Sequence, residues 1–433
     1  MNRTLQIIVI ILFCTFYQDL PLINVFGEIA RTPVFILIVP MLIYIFSHKK
    51  ILISNYTQYF IYYILYLIIV SLIHLAYIVI INQEVVFLKE NIIIKTVKMA
   101  IYPICALIYY QFFYMYLKNG KNKLNDLLNA IFILQIFFAV YLCFEVYFLK
   151  TTTNFLPFLH STTEKFWKVR MLTSEESFVG NVITFFVFVP IFLVNFLDKS
   201  TKAKRGIYFV STFLFLLFSL VTESKGYLIL LLFSILPMIS NRIYKDPKYR
   251  KYFKYIVPVF VIIIIISIVA LKDLFINQLT TSCTFGTRFT SYYSSIKVLI
   301  KHPFGVGWSG FIYYYPEEIR NSLDTIFFRS LDLTEIKGYL LTTKALSTKT
   351  EFFDGIIYGG LGFIFFYYKF FVQRCFFVFK IKNPVFFTLK IALIFSVLAG
   401  VIYINYVIKY EVWFLLALID VIQNKYQIEN QNE

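Results

Sequence analysis

The chain has 433 residues, 59% of them apolar and only 15% charged, with a mean hydropathy of +0.74. A soluble protein of this size covers its core with about one quarter charged residues, so the composition excludes an ordinary soluble fold and predicts a membrane protein. The 51 Phe, the 15 Gly without a period and the five scattered Cys also exclude disorder, collagen-like repeats and a disulfide-stapled secreted fold.

The formal charge of +17 is divided into short basic clusters between apolar runs, such as Lys199, Lys202, Lys204 and Arg205, or the run from Arg242 to Lys254. That arrangement orients membrane spans, so no nucleic-acid partner is expected. Cys14, Cys105, Cys143 and Cys375 lie in or beside apolar runs, which leaves Cys283 without an obvious partner, and no disulfide is expected.

A span takes about 20 apolar residues. In chain order the sequence predicts spans near 5–22, 32–47, 57–82, 99–117, 128–149, 178–197, 207–222, 227–240, 256–271, 353–371, 385–405 and 409–422. The first run has no small-residue cleavage site after it and is read as a retained helix. Twelve spans put both termini on one side. Loops on that side carry about half of the 41 Lys and Arg, which makes the termini cytoplasmic. With no polar block large enough for a soluble domain, residues 1–433 are read as one integral membrane domain, all-α and polytopic. Gln18 and Asp19 are read as interface markers at the outer end of the first span.

The loops are unequal. Residues 150–177 form an exterior loop of intermediate length, and residues 272–351 form one large exterior loop with amphipathic helices. Loops this long are usually functional, and both open onto the same compartment, so the working site should face outward.

In the shorter loop, Arg170 stands near Glu175 and Glu176 just before the sixth span. A guanidinium there can grip a phosphate with two parallel hydrogen bonds, and a carboxylate can take a proton from a sugar hydroxyl. The plainer alternative is an interfacial charge cluster that keeps the helix from sinking. Between the seventh and eighth spans the chain turns through Thr222-Glu223-Ser224-Lys225-Gly226. A tight helical hairpin explains the turn, and Lys225 is then available as a point charge for a phosphate.

The large loop has Phe289, Tyr292, Tyr293, Ile296, Leu299 and Ile300 at helical spacing, a stripe that can lie on the membrane or against the bundle, with Arg288 in the first turn. Pro303 ends this helix. His302, Gly305, Gly307 and Trp308 follow in a segment that reads either as a surface turn or as backbone and aromatic surface for a sugar. A second amphipathic helix is expected to start at Pro316, with Glu317 and Glu318 in its first turn, and to carry Arg320, Asp324 and Arg329. His160 and His302 are far apart, with no ligand-spaced Cys or carboxylate nearby, so no metal site is assigned; magnesium at Glu175 or Glu176 is the alternative.

Taken in order, Arg170-Met-Leu-Thr-Ser-Glu175-Glu-Ser-Phe-Val-Gly180, Thr222-Glu-Ser-Lys-Gly226, Arg288 with His302-Pro-Phe-Gly-Val-Gly-Trp-Ser-Gly-Phe311, and Tyr358-Gly359-Gly-Leu-Gly362 resemble the O-antigen polymerase and ligase superfamily of lipid-linked glycan glycosyltransferases. The resemblance covers residues 165 to 370 by motif and the first five spans by hydropathy alone. Two departures stand out. The hairpin has Lys225 where the family usually has Arg, and Ser347-Thr-Lys349-Thr-Glu351 stands where ligase-like members have a His-Asn pair, which points to a polymerase.

The resemblance implies a GT-C-like membrane enzyme of the bacterial inner membrane, working on O-antigen or capsule repeat units with no cofactor. Its substrate would be an oligosaccharide on undecaprenyl pyrophosphate within the membrane lipid, with a chain-length regulator and a flippase as partners. It further implies Glu175 or Glu176 as the base. Arg170, Lys225, Arg288, His302, Gly305, Gly307, Trp308 and Arg320 would bind substrate. An O-antigen ligase and a lipid-linked oligosaccharide flippase are the alternatives. A flippase should show two related halves, and this chain shows no internal repeat.

Overall fold

The computed structural model describes residues 2–118, 120–222, 224–245, 283–325, 328, 330–342 and 346–431. The expected span at 256–271, the start of the 272–351 loop, Glu223, Phe327 and Arg329 lie outside these residues, as does the Lys225 side chain.

The described chain is predominantly helical. Helices α1 Arg3–Phe16 and α2 Val34–Ser47 are followed by α3 Asn55–Ala76, which runs into a π turn at Tyr77–Ile81, then α4 Ile92–Lys118 and α5 Lys121–Phe148. After the loop come α6 Glu176–Phe196, α7 Thr201–Val221 and α8 Lys225–Lys245. The large loop contributes α9 Cys283–Lys301, α10 Gly307–Leu323 and α11 Thr334–Gly338. The chain ends with α12 Glu351–Tyr367, α13 Gln373–Lys380, α14 Phe387–Ile402 and α15 Tyr410–Gln431. A two-residue antiparallel ladder, Val86–Phe87 with Glu90–Asn91, joins α3 to α4.

Among the described residues, seven helical segments are long and apolar enough to cross a membrane: Asn55–Ile81, Ile92–Lys118, Asn122–Phe148, Glu176–Phe196, Thr201–Val221, Glu351–Lys380 and Pro384–Ile402. They are compatible with a multi-pass membrane protein. Shorter apolar helices occupy Arg3–Phe16, Val34–Ser47 and Gly226–Ile239, where further spans are expected. The region expected as the last span belongs to α15, which is not among the seven and is buried from Tyr410 to Ile422.

The packing groups the residues into two units: residues 1–61, 102–234 and 368–433 in the first, and residues 62–101 and 235–367 in the second. In the first unit, the Phe16 ring of α1 packs at a tilt against Phe185 and Phe186 of α6, with centroids 4.9 and 4.4 Å away. Gly180 lets α6 approach the Tyr227 ring of α8 so closely that a Cβ there would come within 2.5 Å of it. In the second unit, α9, α10 and α12 enclose a core that includes Val298, Phe311, Ile312, Tyr315, Ile319 and Ile357. Within α12, Gly360 adopts φ +53°, ψ −134° and breaks the helix.

Two boundaries differ from the sequence reading. α10 starts at Gly307 rather than Pro316, because Gly307 takes φ +64° at the start, and Pro316 lies inside the helix, where it gives up a single amide donor. Arg288 consequently stands in the second turn of α9, whose described residues begin at Cys283.

Candidate functional site

In the first unit the loop 150–177 is tied to the helix ends by buried polar groups. Asp19 accepts hydrogen bonds from His160 Nδ1 (2.9 Å) and Ser161 Oγ (2.5 Å). A carboxylate only accepts, so Nδ1 donates to it, and Nε2 is hydrogen-bonded to the Tyr141 hydroxyl at 3.1 Å. Glu145 of α5 accepts the backbone amides of Arg170 (2.8 Å) and Met171 (2.9 and 3.0 Å). Met171 sits at φ +50°, and the next residue, Leu172, receives the Gln18 amide at 2.7 Å. Asp19, read from sequence as an interface marker, therefore anchors the loop.

These anchors fix Arg170. Its guanidinium lies 4.3 Å from the Phe166 ring centroid and donates to the Ser174 carbonyl at 3.2 Å. No ion pair engages it among the described residues, so most of its donors remain available. The two neighbouring carboxylates differ. Glu176 pairs with Lys168 on the surface at 3.0 Å. Glu175 is exposed at the N-cap of α6, with no ion pair among the described residues.

Directly behind this loop is a cluster that sequence reasoning missed. Lys409, 1% exposed, donates through Nζ to Gln18 Oε1 at 2.5 Å and lies 3.3 Å from the Phe178 ring centroid in the first turn of α6. Gln18 Nε2 donates to one Glu411 oxygen at 2.7 Å, and Asn181 Nδ2 donates to the other at 2.8 Å. The Gln18 amide thus separates the ammonium from the carboxylate. Nearby, Arg31 grips Glu28 with two 2.7 Å bonds. Burial pulls the Arg31 pKa down, but the Glu28 bond and the Glu28, Asp19 and Glu175 charges turn the shift upward. The sequence signal was present: Lys409 and Glu411 stand between two apolar runs, where ionisable residues are rare.

After α7, Ser224 caps α8 by accepting the Tyr227 amide at 3.4 Å.

In the second unit, Arg288 is half-buried and bonded to the Tyr292 hydroxyl, and Tyr292 stacks on Phe353 at 4.2 Å. The departure Ser347–Glu351 forms the cap of α12. Asp354 accepts from Ser347 Oγ and the Thr348 amide, both at 2.8 Å, and Thr350 Oγ1 accepts the Phe353 amide at 3.2 Å. Arg320 is exposed on α10, and the His302 ring packs against Tyr314 at 4.5 Å and His74 at 5.7 Å.

The glycines read as ligand-facing meet protein instead. A Cβ on Gly305 would lie 2.4 Å from the Tyr358 carbonyl, and one on Gly307 2.5 Å from Ser71. Trp308 is 3% exposed, so its ring offers no face to a sugar, and its amide is taken by Ser71 Oγ at 2.9 Å. The physical reason is the break at Gly360, which frees backbone groups that the 303–307 turn must satisfy.

No model of a known protein family matches the chain, and no curated protein matches it.

Proposed function

We propose that the chain is a membrane glycosyltransferase that polymerises repeat units carried on undecaprenyl pyrophosphate, for an O-antigen or a capsule. One observation carries the reading. A basic side chain with free donors, Arg170, and a carboxylate without an ion-pair partner among the described residues, Glu175, share an ordered loop clamped to the ends of apolar helices. The reading places that loop on the outer side of the bacterial inner membrane, both termini in the cytoplasm and twelve spans in all.

The acceptor sugar's hydroxyl oxygen attacks the anomeric carbon of the donor glycan, forming the new glycosidic bond. The bond from that carbon to the diphosphate oxygen breaks, and the lipid diphosphate leaves with the electron pair. Glu175 takes the hydroxyl proton, and Arg170 neutralises charge as it grows on the diphosphate. Of the two carboxylates, Glu175 suits the role, because Glu176 already holds Lys168. The family resemblance also names Lys225, Arg288 and Arg320 for phosphate, whereas Gly305, Gly307 and Trp308 are assigned to packing. No cofactor is required, and a chain-length regulator and a flippase would work beside it.

The test is the surface glycan of cells carrying single variants. Arg170→Ala, Arg288→Ala and Glu175→Gln are each expected to leave single repeat units on the surface lipid, while Glu176→Gln keeps the polymer ladder. Full-length polymer from Arg170→Ala and Arg288→Ala cells would refute the assignment. Undecaprenyl-linked polymer without surface transfer would indicate a ligase instead.

A further inference from the structure

In the hairpin of α9, the Pro303–Val306 turn and α10, it is α9 that is inverted for a helix in water, while α10 buries Trp308, Phe311, Ile312, Tyr315 and Ile319. α9 buries Gly286, Thr287, Thr290, Ser291, Ser294 and Ser295, with Val298 the one apolar residue among them. Its outward face carries Tyr293, Ile296 and Ile300, which are 37%, 45% and 74% exposed, and Phe304, 71% exposed, extends that stripe beyond the helix end. The inward hydroxyls stay within the protein: Thr290 donates to the Gly286 carbonyl (2.8 Å), Ser294 to Ser322 Oγ (3.0 Å) and Ser295 to the Ser291 carbonyl (2.7 Å). On α9, small residues inside and apolar residues outside suit a helix that meets hydrocarbon on its outer face.

The tip of the hairpin docks on the middles of two long apolar segments. Tyr66 donates to the Phe304 carbonyl at 2.5 Å, and Ser309 Oγ donates to the Ser71 carbonyl at 2.7 Å. The Leu361 amide donates to the Pro303 carbonyl (2.8 Å), and the Val306 amide to the Ile357 carbonyl (2.9 Å). Tyr66 and Ser71 belong to the apolar segment Asn55–Ile81, and Ile357 and Leu361 to the segment Glu351–Lys380. At 1.5 Å per residue, Ser71 is about 15 Å from the Ile81 end and Leu361 about 15 Å from the Glu351 end. A hydrocarbon core is about 30 Å thick. The two rulers agree on a depth near the middle of the bilayer. Irregular backbone is tolerated at that depth only where protein satisfies it, and these bonds do so.

We infer that α9 lies on the bilayer and that the Pro303–Val306 turn dips into it as a re-entrant tip. Its partner is the membrane itself, with acyl chains covering Tyr293, Ile296, Ile300 and Phe304. The charges fit: α9 carries Arg288, Lys297 and Lys301 and no acid, which suits anionic headgroups. Lys297 folds back over the Tyr293 ring at 4.7 Å, and Lys301 pairs with Glu318. The inference does not need the glycosyltransferase reading; it rests on the long apolar helices crossing a bilayer.

The experiment places single cysteines at Ile296, Ile300 and Phe304, with Ile69 as a lipid-facing control, in the full chain with its five native Cys replaced. Each is labelled with an environment-sensitive fluorophore in phosphatidylethanolamine–phosphatidylglycerol vesicles. Nitroxide-bearing lipids should quench all four labels, the Phe304 label most strongly from a deep nitroxide, with aqueous iodide at least fivefold less effective there than on free dye. Quenching at Phe304 by iodide alone, or by neither agent, overturns the inference while quenching at Ile69 upholds the bilayer. Loss of lipid quenching at Ile69 as well overturns both. Footprinting the unsubstituted protein with a lipid-soluble carbene reagent checks that the variants fold. It should modify the 293–304 peptide, and an unmodified peptide there counts against the inference.

Discussion

Two pairs of buried opposite charges involve α15, and they are built differently. At one pair, Arg374 meets Asp420 directly with bonds of 2.7 and 2.8 Å, donates to the Tyr110 hydroxyl and the Phe370 carbonyl, and lies 3.7 Å from the Tyr56 ring centroid. At the other, Lys409 and Glu411 do not touch, and the Gln18 amide stands between them. A bidentate guanidinium with every side occupied has nothing left for a substrate, so it serves structure. An ammonium whose one hydrogen-bond acceptor among the described residues is a neutral amide keeps donors in reserve, just behind the Arg170–Glu175 loop. Burial is the same at both pairs; what differs is the hydrogen-bonding capacity left unspent among the described residues.

The largest effect should come from breaking the saturated pair. Arg374→Met leaves Asp420 charged and buried, and is expected to cost about 3–5 kcal/mol, read as a lower thermal midpoint and loss of monodisperse protein in detergent. The double variant Arg374→Met/Asp420→Leu should recover most of that loss, and no recovery would mean that packing rather than charge pairing dominates there.

Removing the bridge comes next. Gln18→Leu takes the acceptor from Lys409 and one of two donors from Glu411, and should cost about 1–3 kcal/mol on the same scale. Lys409→Met should cost less than either, because Glu411 keeps both of its amide donors. If it destabilised as much as Arg374→Met, the two pairs would be equivalent and the distinction between them would fail. The smallest effect is expected from Glu176→Gln, which loses only a surface pair and should shift stability by under about 1 kcal/mol.

The helices were legible because each is written as a local run of apolar residues: the expected spans at 57–82, 99–117, 128–149, 178–197, 207–222, 353–371 and 385–405 all overlap the long apolar helices observed. Arg170, Glu175 and Glu176 were singled out on another ground, as charges in a polar loop just before the sixth expected span. Lys409, Gln18 and Asn181 could not be grouped, because they come from three elements far apart in the chain and share no spacing. Trp308 and the glycines at 305 and 307 misled because a close approach to a ligand and one to the protein's own backbone ask for the same residue.

The sequence by itself determined that this chain is helical and suited to a membrane, since hydropathy and helical period are properties of consecutive residues. Only the tertiary structure decided which charges are saturated, which glycines face protein and how α9 turns its apolar stripe outward. Those depend on which distant segments meet, and a hydrogen-bond partner has no address in the local pattern.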